Sequence, residues 1–527
     1  MKKAAILLLI LSASYFLPML QPSDLAIALW PAICALAVII ITHHAALGLA
    51  CGIVAGVILI HHETPVGIPR AIFANYIFPS LAGSWHVGAI LFTLMLGAFA
   101  GILEKSGGFD TILRRLTANS TRPKRRLLGS VYCIGLLCFF DGLANSLLMG
   151  RIARPLADRI GISRERLAWV VDSTSSPVAC VAFVSTWIAT QLSLIQQGLD
   201  DAPFPVEPYS LFFRSIPANP YCLLTLLLVP LAIYLDYQPK AMQRYQALPI
   251  TEPGGINDKR ETSPSRAIVP LIALLVGIFA AFPLFSDPLI DPLSIAGWRA
   301  AFSGDAGPYA LVAGSLFGMA VAWLMYPKNS EVNAAEAAYH GAANLLPALI
   351  ILILAWSLGN VFSALGAGGQ LAGLLASGFP VSWLPLVVFL AGAIMSFATG
   401  SSWGTMGLLM PLALPAIIQA GTAVALPIEE LTALVPAVIG AVFGGAVFGD
   451  HCSPFSDTTI VSAIASGCEP TSHVHSQLPF VGIAACFSII AYSFIAIGVM
   501  PLISTTIAAG LMLFFTIHLS KKQLPYA

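Results

Sequence analysis

Three short stretches hold most of the side chains that could do chemistry inside an otherwise apolar chain: FFDGLAN at 139–145, VDSTSSP at 171–177 and FGDHCSPFSDTTIVS at 448–462. They supply four aspartates, Asp141, Asp172, Asp450 and Asp457, together with Asn145, His451 and a dense set of hydroxyls. A carboxylate at membrane depth costs about 2.5–3.5 kcal/mol on insertion scales, so such groups are retained for pairing, ion binding or proton exchange. A hard cation takes oxygen ligands, and a carboxylate ringed by carbonyls and hydroxyls offers them. Asp450, Asp457 and Asp172 are therefore the Na+ candidates, with oxygens expected from Ser175, Ser176, Ser453, Ser456 and Thr458. Competition of Na+ and H+ for one carboxylate is the elementary requirement of an antiporter.

Each residue also has a plainer use. Asp457 could favour a helix N-terminus electrostatically. Asp141, beside Gly142, could be a turn former, and Asp172 could sit near the cytoplasmic headgroups. His451 with Cys452 suggests zinc, but no second Cys or His follows at ligand spacing. His451 then serves as a hydrogen-bond partner or as a group acting on Asp450. Thr399, Ser401 and Ser402, around Gly400 in ATGSSWGTMG, could line a binding pocket or bond neighbouring helices, and Trp403 reads as packing.

The elements that must carry these residues are membrane helices. Of 527 residues, 57% are hydrophobic and only 9% are charged, against roughly 25% charged in ordinary soluble domains. Formal net charge is zero, which gives no reason to expect a nucleic-acid partner. The nine cysteines have no paired spacing and read as small core residues. MKKAAILLLILSASYF reads as a first span, with a cleaved leader as the alternative. No G-x-x-x-x-G-K-[ST] loop and no large soluble segment is present, so energy must come from an ion gradient; neither an enzyme nor a cofactor is expected.

Basic residues orient the chain. Lys2 and Lys3, the clusters at 105–126 and 151–166, and Lys521 with Lys522 all belong in the cytoplasm. The apolar segment 127–150 has basic loops on both flanks, so it reads as a re-entrant hairpin turning at Asp141-Gly142. Twelve crossings and two hairpins, the second at 384–418, then leave both termini cytoplasmic.

Three blocks recur in order. AILFTLMLGAFAGILEKSGG from Ala89 lies over ALIILILAWSLGNVFSALGAGG from Ala348. FFDGLANSLLMG lies over FATGSSWGTMGL, and VDSTSSPVACV over GDHCSPFSDTTIV. By the charge pattern the halves run in opposite directions, as in transporters whose sites lie where helices are interrupted. The resulting division is 1–85, scaffold helices; 86–236, first repeat with hairpin 127–150 and broken helix 167–195; 237–266, cytoplasmic linker; 267–344, connecting helices; 345–500, second repeat with hairpin 384–418 and broken helix 430–466; and 501–527, last helix and tail. The 430–466 stretch would be roughly 55 Å long as one helix against about 30 Å of hydrocarbon. A break is expected at Ser453-Pro454, with Ser453 as N-cap and Gly449–Cys452 unwound; Ser176-Pro177 offers the matching restart, with Asp172–Ser175 unwound before it.

GDHCSPFSDTTIVSA, with FATGSSWGTMGLLMP and FFDGLANSLLMGRIARPLADR, resembles the NhaC-type Na+/H+ antiporter family over about residues 86–500. The resemblance implies an all-α inverted-repeat transporter of the bacterial inner membrane that exchanges Na+ or Li+ for H+, and allows a homodimer. It also implies that Asp450, His451, Ser453, Pro454, Asp457 and Thr458 form part of an ion site with Asp141, Asn145 and Asp172. The alternative is a Na+- or H+-coupled carrier of a small organic acid or amino acid.

Overall fold

The computed structural model describes residues 10–522 apart from 21, 83, 118–120, 200–206, 246–261, 287–290, 292–293, 295–296, 299–300, 302–305, 331 and 377–378. Residues 246–261 of the expected linker 237–266 and the start of the expected first span therefore lie outside the described residues. Those described are helical, with no strand. Among the described residues ten helices are long and apolar enough to cross a membrane, or up to twelve if each of two bent pairs is one crossing. Large apolar side chains face outward, such as Leu324 at 83% and Phe514 at 74% exposure, while Asp172, Asp450, His473 and Gln477 are buried. That inversion of the soluble pattern marks a multi-pass membrane protein.

Two helical hairpins and two broken helices surround the buried polar residues. The first hairpin pairs Pro123–Leu137 with Gly142–Ile160, and the second pairs Leu384–Thr399 with Ser402–Ala423. Both second arms start from a side-chain cap: Asp141 accepts from the Ala144 amide at 2.6 Å and Ser401 from the Gly404 amide at 3.0 Å. By length alone each arm of the second hairpin could span a bilayer, which the re-entrant reading of 384–418 does not anticipate.

The first broken helix runs Arg164–Ser173, Ser176–Val181 and Thr186–Leu199, and bends by 41° before its last segment. Its restart falls one residue earlier than expected, with Ser175 at the N-cap and Pro177 in the first turn, where its missing N–H costs nothing; Asp172 and Ser173, expected to be unwound, end the preceding helix. The second runs Ile428–Cys452 and Asp457–Ser466. Here the expectation needs correction. Gly449–Cys452 is helical, and the new helix starts three residues later than Pro454, with Ser456 rather than Ser453 at its N-cap. Ser453 instead closes the earlier helix in an extended conformation (φ −82°, ψ 131°), the state favoured before proline.

Arg164 Nη1 donates to the Gly467 carbonyl at 3.0 Å, so the start of one broken helix lies beside the end of the other. From these ends Arg164–Ser173 and Asp457–Ser466 each run 10 residues to their breaks, about 15 Å at 1.5 Å per residue. The two breaks therefore meet at one level.

Candidate functional site

At that level lies a buried polar cluster. The Asp450 carboxylate, 3% exposed, accepts Ser176 Oγ (2.6 Å) and Thr458 Oγ1 (2.9 Å) on one oxygen and Ser456 Oγ on the other. Ser456 spends its hydroxyl on Asp450, so its helix has no side-chain cap bond. Asp172, 1% exposed, accepts Ser462 Oγ (3.2 Å) on Oδ1, and Thr459 Oγ1 (3.3 Å), Gln477 Nε2 (3.0 Å) and His473 Nε2 (3.2 Å) on Oδ2. Thr459 Oγ1 also donates to the Asp450 carbonyl at 2.8 Å and so links the two aspartates' surroundings.

The bonding is crosswise: Asp450 on the later broken helix takes a hydroxyl from the earlier one, and Asp172 on the earlier takes two from the later. Among the described residues no lysine or arginine bonds either carboxylate, and His473 is the only basic side chain in ion-pair range of them. A carboxylate removed from water and held mainly by neutral donors is stabilised further by whatever cation or proton reaches it.

His451 sits beside Asp450 with both ring nitrogens engaged, Nε2 with Ser173 Oγ at 3.0 Å and Nδ1 with Tyr221 OH at 2.9 Å. Each hydroxyl can donate or accept, so either tautomer is satisfied. The His451 carbonyl takes the second proton of Gln477 Nε2 at 2.6 Å. Gln477 Oε1, His473 Nδ1 and Asn145 Oδ1 are buried without a hydrogen-bond partner among the described residues.

Asn145 Nδ2 donates to the Thr174 carbonyl at 2.5 Å and to Gly135 O at 3.2 Å, and Ser175 Oγ donates to Gly142 O at 2.7 Å, so the first hairpin's tip is tied to the first break. Asp141 caps its helix and accepts Thr186 Oγ1 at 3.0 Å. Thr399, Ser401 and Ser402 lie at the second hairpin's tip. That tip meets the second break at Gly400, where a Cβ would fall 2.6 Å from the Phe455 backbone. Ser453 is buried in the break, accepting the Phe455 amide at 3.3 Å. Trp403 packs against Trp187 with centroids 5.8 Å apart. Asp457 is exposed at the first position of its helix, outside the bonds around Asp450.

Sequence reasoning missed His473 and Gln477. Their signal was HVHSQ at 473–477, a helical i, i+4 pair that falls just before the expected span 478–499; the helix in fact begins earlier, at Pro470–Ala496.

A sequence profile described as the Na+/H+ antiporter family matches residues 178–497. The chain belongs to that family. Membership, with the membrane fold, makes it a secondary transporter of the antiporter type. The matched region contains Asp450, His473 and Gln477, whereas Asp141, Asn145 and Asp172 precede it. An uncharacterised protein of Haemophilus influenzae is 26% identical over 92% of this chain and 94% of its own length. The Bacillus subtilis malate-2H(+)/Na(+)-lactate antiporter is 34% identical over a shorter stretch, 31% of this chain and 32% of its own. The crystal structure of the Alcanivorax borkumensis YdaH transporter superposes with a TM-score of 0.54 at 16% identity, over 82% of this chain and 89% of that one, a likeness of fold.

Proposed function

We propose that this family member exchanges cytoplasmic Na+ or Li+ for external H+ across the bacterial inner membrane, with both termini in the cytoplasm. Regions 86–236 and 345–500 act as inverted repeats whose broken helices bring Asp172 and Asp450 together. The observation that carries the reading is the Asp450 carboxylate: buried, bonded by no lysine or arginine among the described residues, and surrounded by the hydroxyls of Ser176, Ser456 and Thr458. In the proton-loaded state those hydroxyls and the carboxylic acid satisfy one another. In the Na+-loaded state the same oxygens turn their lone pairs to the ion, which replaces the proton's charge. Asp172, held by His473 and Gln477, fixes the facing wall.

A hydroxyl-lined site also suits an organic acid, and the Bacillus subtilis relative is named for malate and lactate as well as for H+ and Na+. Ion exchange is preferred because the Asp450 shell consists of hard oxygens and, among the described residues, lacks the cationic side chain that commonly pairs with a carboxylate solute. Titrating Na+ into weakly buffered purified protein tests the competition directly. Proton release from the wild type is expected; Na+ binding without it would defeat the proposal.

A further inference from the structure

Ser456 and Thr458 both bond the buried Asp450 carboxylate, yet Asp457 between them is exposed. A carboxylate within a membrane-crossing segment does not face hydrocarbon, so exposure there means water. Phe455, 50% exposed, lies two residues away, its ring stacked on His43 with centroids 4.2 Å apart and planes 25° from parallel. His43 and His44 form the exposed turn between Asp24–Thr42 and Ala45–Ile60. The latter helix has 16 residues, about 24 Å of rise against about 30 Å of hydrocarbon. With one end near a membrane face, its other end stops short of the opposite face, at a depth where it can reach the broken helix. The second hairpin borders the same turn, since a Cβ on Gly404 would lie 3.0 Å from Ala45 Cβ.

We infer that Asp457, Phe455, His43 and His44 line a water-filled vestibule, open to the cytoplasm, that concentrates monovalent cations immediately outside the Asp450 site. The inference rests on the proposed exchange at Asp450 and on the orientation set by the basic loops, which puts the 43–44 turn on the cytoplasmic side. Asp457 then acts as a recruiting charge rather than as an ion ligand. A charge at the mouth of a low-dielectric cleft raises the local concentration of opposite ions and loses that effect as salt screens it.

The test is chemical labelling, which needs no transport. Phe455→Cys is exposed to cationic and to anionic methanethiosulfonate reagents in inside-out and right-side-out vesicles, and the residue-455 peptide is read by mass spectrometry. The expected result is labelling in inside-out vesicles, roughly tenfold faster with the cationic reagent at low salt, with the preference lost when Asp457→Asn is added. Labelling only from the outside, labelling from neither side, or equal rates with the two reagents would overturn the vestibule. Asp457→Cys in an otherwise unaltered chain reports the side of access if Phe455→Cys fails to fold. Labelling as expected in a protein that moves no Na+ would keep the vestibule and remove the exchange reading.

Discussion

Asp450 and Asp172 differ in what surrounds them, and their variants should differ accordingly. Asp450 has three hydroxyl donors, and Asp450→Asn keeps its shape while removing the charge that H+ and Na+ would share. Asp450→Asn should reach the membrane in wild-type amounts and show no exchange; retained exchange would take Asp450 out of the site. Gln477→Leu acts by another route. It removes one donor from both Asp172 Oδ2 and the His451 carbonyl, and a buried polar group left unsatisfied costs about 1–3 kcal/mol. A Tm in detergent lowered by several degrees is expected, and an unchanged Tm would show that other donors replace it. At this scale the motif around Asp450 was readable, because Ser456 and Thr458 lie within one turn of a predicted restart. The exposure of Asp457 follows from the same helix: Thr458, Thr459 and Ser462 share one face, and a step of about 100° per residue turns Asp457 away from it. Tyr221 was not readable, because its partner His451 lies 230 residues away and its own helix is mostly apolar.

The breaks and hairpin tips decide where those residues meet. Each tip rests on a break through a glycine, but with unequal tolerance. Gly400 has φ +67°, and its Cβ would meet Phe455 backbone atoms at 2.6 Å, whereas a Cβ on Gly142 would meet Ser175 Oγ at 3.1 Å. Gly400→Ala should therefore push the second tip off its break and reduce exchange at least tenfold, while Gly142→Ala costs much less; equal effects in a vesicle assay would contradict this packing. Sequence located both breaks from their serine-proline pairs and set the first restart to within one residue, but it expected Asp172 and Ser173, which are helical, to be unwound. It set the second restart too early because Pro454 reads equally well as the first residue of a helix or as the stop of the preceding one. What decides is Ser456, whose hydroxyl goes to a carboxylate six residues back, a contact that exists only once the chain has turned.

Across the whole molecule, two broken helices with opposed ends joined at Arg164 and Gly467 place one aspartate from each half within reach of the other half's hydroxyls. Relative movement of the halves would change both sets of bonds together, which suits an exchanger whose site must alternate between occupants. Most of the spans were readable from hydropathy, but the arms Val381–Thr399 and Ser402–Ala423, each long enough to cross, were read as one re-entrant hairpin, and the proposed inverted relation of the halves rests on block order and basic loops more than on any single residue. The most direct test of exchange at the Asp450 site uses purified protein in liposomes with an imposed pH gradient and no organic solute. Added Na+ or Li+ should dissipate the gradient with the wild type and not with Asp450→Asn. Dissipation that requires an organic acid or amino acid, or that persists in Asp450→Asn, would contradict exchange at Asp450.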